Sequence, residues 1–380
     1  MNKIVSISGA IFVLVVATLC FFIKFPSYLT YSKNKGNIIS AAGVADDIKP
    51  PAERKKELTQ KIDEYLQSQK FNGTALVIQN GDTILDKGYG YADFTKKIQN
   101  TAQTKYYIGS ITKTVVAVSI LQLQEQKKLD IYDNVHKYLP SFPEDKNISL
   151  FELLTHTSGI KGDNSSEKSF KPSSISDLVK WIGEQNLAFP PSTDWLYSDK
   201  NYIILASIVE KLSGESLKQY VTKHIFTPAG MTNSGILTNE KDVLNISKGY
   251  VRTEKGLVSM GAPLDLWAYG CGNMYSTTHD MYKLNKAIIT RKLLSPQSIA
   301  LMFTPVKHTY GMGYYIIPER YYNAGVISGM LSLNTFNWNK KMFVILLSNT
   351  RHDNTKIDYD LGHKIINIVN PPEQKNGGRT

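Results

Sequence analysis

The stretch TVVAVSILQL, residues 114–123, is apolar on nearly every side of a helical wheel. A helix of that kind has no face to offer solvent, so it must run through the middle of a body large enough to cover it all round. The chain has 380 residues, 42% hydrophobic and 20% charged, which is the size and balance of a folded protein with a full core. The entry to this helix is not apolar: Ser110 and Lys113 stand in its first turn, with Gly109 before them. Positions i and i+3 share a helix face, so the Lys113 amine can reach the Ser110 hydroxyl. Burial disfavours the ammonium form and predicts a lowered amine pKa, which would make Lys113 a base and Ser110 a usable nucleophile. The plain alternative is an N-cap serine beside a solvated lysine, and for an isolated S-x-x-K it is the better reading.

The pattern occurs at Ser32, Ser110, Ser158 and Ser165. Ser32 sits in a polar tether, Ser158 is followed by helix-breaking Gly159, and Ser165 lies in a polar loop; Ser110 alone opens a helix. The rest of the chain narrows the chemistry by exclusion. The formal net charge is +11, which favours a polyanionic partner. No recognition helix, zinc-knuckle spacing or aromatic RNA-binding signature accompanies it, so nucleic acid is not expected. Two cysteines, Cys20 and Cys271, make no disulfide framework. The seven histidines are scattered without H-E-x-x-H spacing, so no metal site is expected.

Residues 4–23 form an uncharged apolar run between Lys3 and Lys24, long enough to span a bilayer. We therefore expect a transmembrane anchor at 1–24, a linker at 25–55, one catalytic domain at 56–370 and a tail at 371–380. The lysines after the span do not favour export of the body under the positive-inside rule; its placement outside the cell rests on the functional reading below. Within the body, TALVIQ and TILDKGYG flank Asn80-Gly81-Asp82, a hairpin signal. Strand patterns return at 311–317, 321–338 and 341–349, with a closing helix over 357–369. Helices are predicted at 110–128, 149–155, 175–186, 200–213, 216–225 and 278–290. Strands at both chain ends with helices between them predict an α+β fold whose antiparallel sheet is completed by the two termini, with an inserted helical lobe.

Further motifs give the Ser110 turn its context. LLTHTSGI (153–160), FPPSTDWLYSDKNYIILASIVEKLSGES, IFTPAGM (225–231), YGCGNMYSTTHDMYKL (269–284) and NAGVISGM (323–330) follow in order. Together they resemble the serine β-lactamase and penicillin-binding-protein superfamily, in its class C-like branch, over roughly residues 60–350. The resemblance implies a β-lactamase/DD-peptidase-like fold and no cofactor. It makes Ser110 the nucleophile, Lys113 and Tyr197 the proton shuttle, and the amides of Ser110 and Val326 an oxyanion hole. Tyr197-Ser198-Asp199 stands at the second motif and Asn323-Ala324-Gly325 at the third, with Asp199, Asn323 and Gly325 as substrate contacts. Asp199 could equally be a helix N-cap, Tyr197 a core aromatic, and His156 and Asp280 read as structural.

The departures from the family pattern bear on substrate. Relatives carry Lys-Thr-Gly or His-x-Gly at the third motif, and a cation there suits a terminal carboxylate; Asn323-Ala324-Gly325 supplies none. A D-alanyl ester presents a free ammonium instead, for which Asp199 is a suitable partner. The opening hairpin also resembles that of FmtA-type teichoic-acid D-alanyl esterases of Gram-positive bacteria. The expectation is a membrane-anchored extracellular serine hydrolase removing D-alanyl groups from teichoic or lipoteichoic acid. The alternatives are a penicillin-binding DD-carboxypeptidase acting on peptidoglycan stem peptide, a general esterase, and a catalytically silent wall-polymer-binding protein.

Overall fold

The computed structural model describes residues 51–162, 170–239, 242, 246–318, 320–352 and 361–371. Helix α1 (Pro51–Ser68) opens the body, five residues into the segment expected to be linker. Proline is well placed there, because a first-turn N–H has no intrahelical partner to lose. The hairpin β1 (Gly73–Gln79) and β2 (Asp82–Tyr89) follows, then a short hairpin of β3 (Tyr91–Asp93) and β4 (Ile98–Gln99). The helical middle comprises α2 (Thr112–Glu125), α3 (Leu150–Thr155), α4 (Ile175–Glu184), α5 (Asp199–Ser213) and α6 (Thr278–Ile289). Between α5 and α6 lies a ribbon of β5 (Tyr250–Thr253) and β6 (Gly256–Ser259). The chain closes with β7 (Tyr315–Ile317), β8 (Arg320–Ile327), β9 (Met330–Asn337), β10 (Met342–Ser348) and α7 (Leu361–Val369).

The main sheet has the order β7-β8-β9-β10-β1-β2 and is antiparallel throughout. The amino-terminal hairpin therefore joins a carboxyl-terminal meander, with Leu76 paired to Ile345 and Val77 to Val344. Successive side chains of a strand point to opposite faces. Ala75, Val77, Val344 and Leu346 face a layer made by Ile62 and Leu66 of α1 and Ile365 and Val369 of α7. Leu76, Ile78, Ile345 and Leu347 face the helical lobe. Both faces are covered, which is why these strands read as continuous apolar runs. The segment 321–338 is not one strand but β8 and β9, turned at Ser328 and Gly329, both with positive φ.

Helix α2 lies in the centre of the larger core with eleven residues buried, Lys113 among them. It is preceded by a 3₁₀ turn at Gly109–Ile111, so Ser110 precedes the α-helix proper. The expected single-pass location at the cell membrane is corrected: among the described residues no helix is long and apolar enough to cross a bilayer. Helix α2 has 14 residues, about 21 Å at 1.5 Å per residue against a hydrocarbon core of about 30 Å. The run 4–23, for which the span was expected, and the tail from 372 lie outside the described residues.

Candidate active site

Four elements deliver the site. The turn before α2 carries Ser110, the first turn of α2 carries Lys113, the start of α5 carries Asp199 with Tyr197 just before it, and β8 passes beside them. Lys113 is 1% exposed, and its Nζ donates to Ser110 Oγ at 3.0 Å, Asp199 Oδ1 at 2.6 Å and the Cys271 carbonyl at 3.2 Å. It also stands 4.8 Å from the centroid of the Tyr197 ring. Burial alone pushes the amine pKa down, as expected from the sequence. The Asp199 carboxylate, followed by Tyr197 and Cys271, outweighs burial and holds the pKa above its ordinary value. The expectation of a neutral resting lysine is thereby reversed: the amine is an ammonium ion paired across a short bond.

The structure removes the helix-cap alternative for Asp199. Ser198, not Asp199, occupies the N-cap position of α5. Asp199 is committed to Lys113 through Oδ1, with about a third of its side chain exposed. Tyr197 is half-buried beside the same amine. Burial raises its phenol pKa, the Lys113 charge and hydrogen bonding with Lys113 and Ser110 oppose this, and the net direction is upward.

Strand β8 meets the Ser110 turn backbone to backbone. A Cβ on Gly325 would lie 1.9 Å from the Ile108 carbonyl oxygen and 2.9 Å from Ser110 N. Gly109 has φ +52°, and a Cβ there would lie 2.8 Å from Val326 N. Both glycines are required for the approach, which brings the amides of Ser110 and Val326 together beside the hydroxyl. Gly325 thus serves a close backbone contact rather than contact through a side chain.

Asn323 does not face the site. It is 5% exposed, its Nδ2 donates to Thr114 Oγ1 at 2.7 Å and the Gly313 carbonyl at 3.2 Å, and its Oδ1 accepts from Asn334 at 2.8 Å. Strand alternation turns Tyr322, Ala324 and Val326 toward the opening instead. With Ser110, Tyr197 and Tyr315 they line a cavity of about 420 Å³. A second cavity of about 280 Å³ on the other side of Ser110 is lined by Asp199, Asp265, Trp267 and Ser328 among others.

His156, read from the sequence as structural, supports the site from below, while the Cys271 carbonyl and Asp265 escaped that reading. His156, fully buried, accepts at Nδ1 from Ser198 N (3.3 Å) and Asn201 Nδ2 (2.9 Å), which places the ring proton on Nε2. Its ring lies 4.4 Å from that of Tyr197. Burial, followed by the Lys113 charge, holds its pKa well below the usual histidine value. It is a neutral platform for the Tyr197–Asp199 turn, and Ser158 Oγ braces Asn201 from below at 2.7 Å. The Cys271 carbonyl and Asp265 arrive from a loop whose sequence carries no spacing signal. Asp280 is structural, as expected, accepting from Asn233 N and Ser234 Oγ.

The arrangement combines a hydroxyl on a tight turn, an ammonium–carboxylate pair beneath it, a phenol alongside and two adjacent amides. These are the parts that acyl transfer through a serine ester needs. The comparisons with known proteins agree. The family model described as Beta-lactamase matches residues 58–364. Penicillin-binding protein PbpX of Bacillus subtilis (strain 168) is 41% identical over 312 residues, covering 82% of this chain and 78% of its own. Teichoic acid D-alanine hydrolase of Staphylococcus aureus is 33% identical over 304 residues, covering 77% and 74%. The crystal structure of FmtA from Staphylococcus aureus superposes with a TM-score of 0.73 at 32% identity, over 86% of this chain and 93% of that one. Sequence, fold and site converge on one conclusion: the chain belongs to the β-lactamase family and is a serine hydrolase of the β-lactamase and penicillin-binding-protein type.

Proposed function

We propose that this hydrolase removes D-alanyl groups from teichoic or lipoteichoic acid through a D-alanyl-enzyme at Ser110. The observation that carries the reading is the charge of the two cavities meeting at the serine. Their lining includes the carboxylate of Asp265 and that of Asp199, which is shared with buried Lys113, and no lysine or arginine. A substrate ending in a free carboxylate finds no counter-charge there. A D-alanyl ester, with its carboxyl esterified and its amine cationic, matches such a lining. The relatives named teichoic acid D-alanine hydrolase support the same substrate class.

Ser110 Oγ attacks the ester carbonyl, and the developing negative oxygen is stabilised by the amides of Ser110 and Val326. Because Lys113 rests protonated, it accepts the serine proton only by handing one of its own to Asp199 across the 2.6 Å bond. The leaving polyol oxygen takes the Tyr197 phenol proton, and Tyr197 is reprotonated by Lys113, which takes back the proton held by Asp199. Water then attacks the D-alanyl ester, releasing D-alanine and restoring the hydroxyl. The test is D-alanine release from purified D-alanylated lipoteichoic acid by the parent and by Ser110→Ala. Release by the parent alone supports the esterase. The penicillin-binding relative favours a second reading, DD-carboxypeptidase; D-alanine release from a peptide ending in D-Ala-D-Ala, but not from the polymer, would replace the first reading with it.

A further inference from the structure

A cleft of about 700 Å³ lies between the β3–β4 hairpin and the β5–β6 ribbon, outside the parts assigned above. It adjoins the cavity at Ser110, and the two share walls. Ala262 lines both, and Gly249, in the cleft wall, packs so closely on Ser328, in the cavity wall, that a Cβ would lie 1.8 Å from the Ser328 carbonyl oxygen. The two spaces differ in charge. The cavity holds the Asp265 carboxylate and that of Asp199, the latter paired with buried Lys113, whereas the cleft presents the exposed ammonium groups of Lys96 and Lys248.

The one carboxylate in the cleft lining, Asp93, pairs with Lys248, so Lys96 carries the net positive charge of the lining. Asp93 is 7% exposed and accepts from Lys248 Nζ at 3.0 Å and from the backbone amides of Thr95 and Lys96 at 2.9 and 3.0 Å. Beside the lysines lie the donors of Gln99, Gln103 and Thr104, and the apolar surfaces of Ile98 and Met260, which are 52% and 41% exposed. A polyol-phosphate chain repeats these chemistries: phosphodiester anions, hydroxyls and short hydrocarbon segments. Resting on the D-alanyl ester reading, we infer that this cleft seats the polyol-phosphate units flanking the acylated one. The phosphodiesters lie against Lys96 and Lys248, while the D-alanyl ammonium group points into the acidic cavity. The protein then selects an ester displayed along an anionic chain over the same ester on a single polyol.

The test compares D-alanylated lipoteichoic acid with the single-unit ester D-alanyl glycerol, using the full chain, Lys96→Glu and, on the opposite wall, Ser259→Glu. Both positions are exposed, so neither substitution disturbs the core. Each variant is expected to raise KM for the polymer by about tenfold, the effect of about 1.4 kcal/mol, and to leave D-alanyl glycerol kinetics unchanged. Salt should weaken the parent's action on the polymer more than that of Lys96→Glu, because a phosphate contact is already lost. Unchanged polymer KM in both variants, or equal losses on both substrates, overturns the cleft assignment. A parent that cleaves neither substrate refutes the ester reading and this inference with it.

Discussion

Asp199→Asn removes the countercharge from a buried ammonium ion while keeping the shape of the side chain. At the 2.6 Å separation of Lys113 Nζ and Asp199 Oδ1, an effective dielectric constant of about 20 gives an attraction of about 6 kcal/mol. Asp199 is 35% exposed, and discounting for solvent screening about halves that figure, to about 3 kcal/mol. At 1.36 kcal/mol per unit, the Lys113 pKa should fall by about two units. The sign of the stability effect follows from linkage. In the parent the folded amine pKa lies above the unfolded value, so the stabilisation is complete below about pH 10.4 and is lost as pH rises through the folded pKa. In the variant the folded pKa falls toward the unfolded value, so about 3 kcal/mol of that stabilisation is missing at any pH below the variant's amine pKa, and the difference shrinks only as pH rises from that pKa to the parent's.

The stability gap between parent and Asp199→Asn should therefore be about 3 kcal/mol near neutral pH and narrow only as pH rises above the variant's amine pKa. Urea unfolding at several pH values measures the gap, and NMR titration of ¹³C-labelled lysine follows the amine directly. Without its proton acceptor, acylation should slow about a hundredfold near pH 7 and recover as pH rises through the lowered amine pKa. An unmoved lysine titration together with a pH-independent stability gap would refute the pairing argument.

Other substitutions test single contacts. Ser110→Ala should abolish acyl-enzyme formation, read by intact mass after substrate addition, with no loss of stability. Tyr197→Phe should keep stability within about 1 kcal/mol while slowing acylation by about 10² to 10³ in single-turnover kinetics. Asn323→Ala removes a buried donor to Thr114 Oγ1 and the Gly313 carbonyl, which stay bonded to each other, and a buried acceptor for Asn334, which keeps Asn285. It should cost about 2 kcal/mol of stability and leave KM unchanged, and a KM effect without a stability effect would restore Asn323 as a substrate contact. Gly109→Ala strains a left-handed residue by about 1 to 2 kcal/mol and thrusts a methyl at Val326 N, so kcat should fall more than KM changes.

What was legible in the sequence was whatever rests on local periodicity. The predicted helices over 175–186, 200–213 and 278–290 match α4, α5 and α6 to within two residues at each end, because amphipathic spacing and caps such as Ser174 and Thr277 are local signals. The apolar strands near both ends announced a sheet completed by the two termini. The turn at Ser328-Gly329 was missed because serine is a weak signal for a positive-φ hairpin position. The β5–β6 ribbon was missed because its side chains are mostly exposed and do not alternate.

The site divides along the same line. Ser110 and Lys113 could be paired from spacing alone, since three residues along a helix fix their distance, and the ordered motifs placed Tyr197, Val326 and the family around them. The charge of Lys113 could not be read that way, because it depends on Asp199, 86 positions further along the chain. The same holds for Asn323, whose inward direction is set by its strand's register against β9 and by Thr114 beneath it. Periodicity and motif order marked which residues could do chemistry and which segments must be buried. Their protonation and direction came from packing, because both are set by neighbours brought close in space rather than by position along the chain.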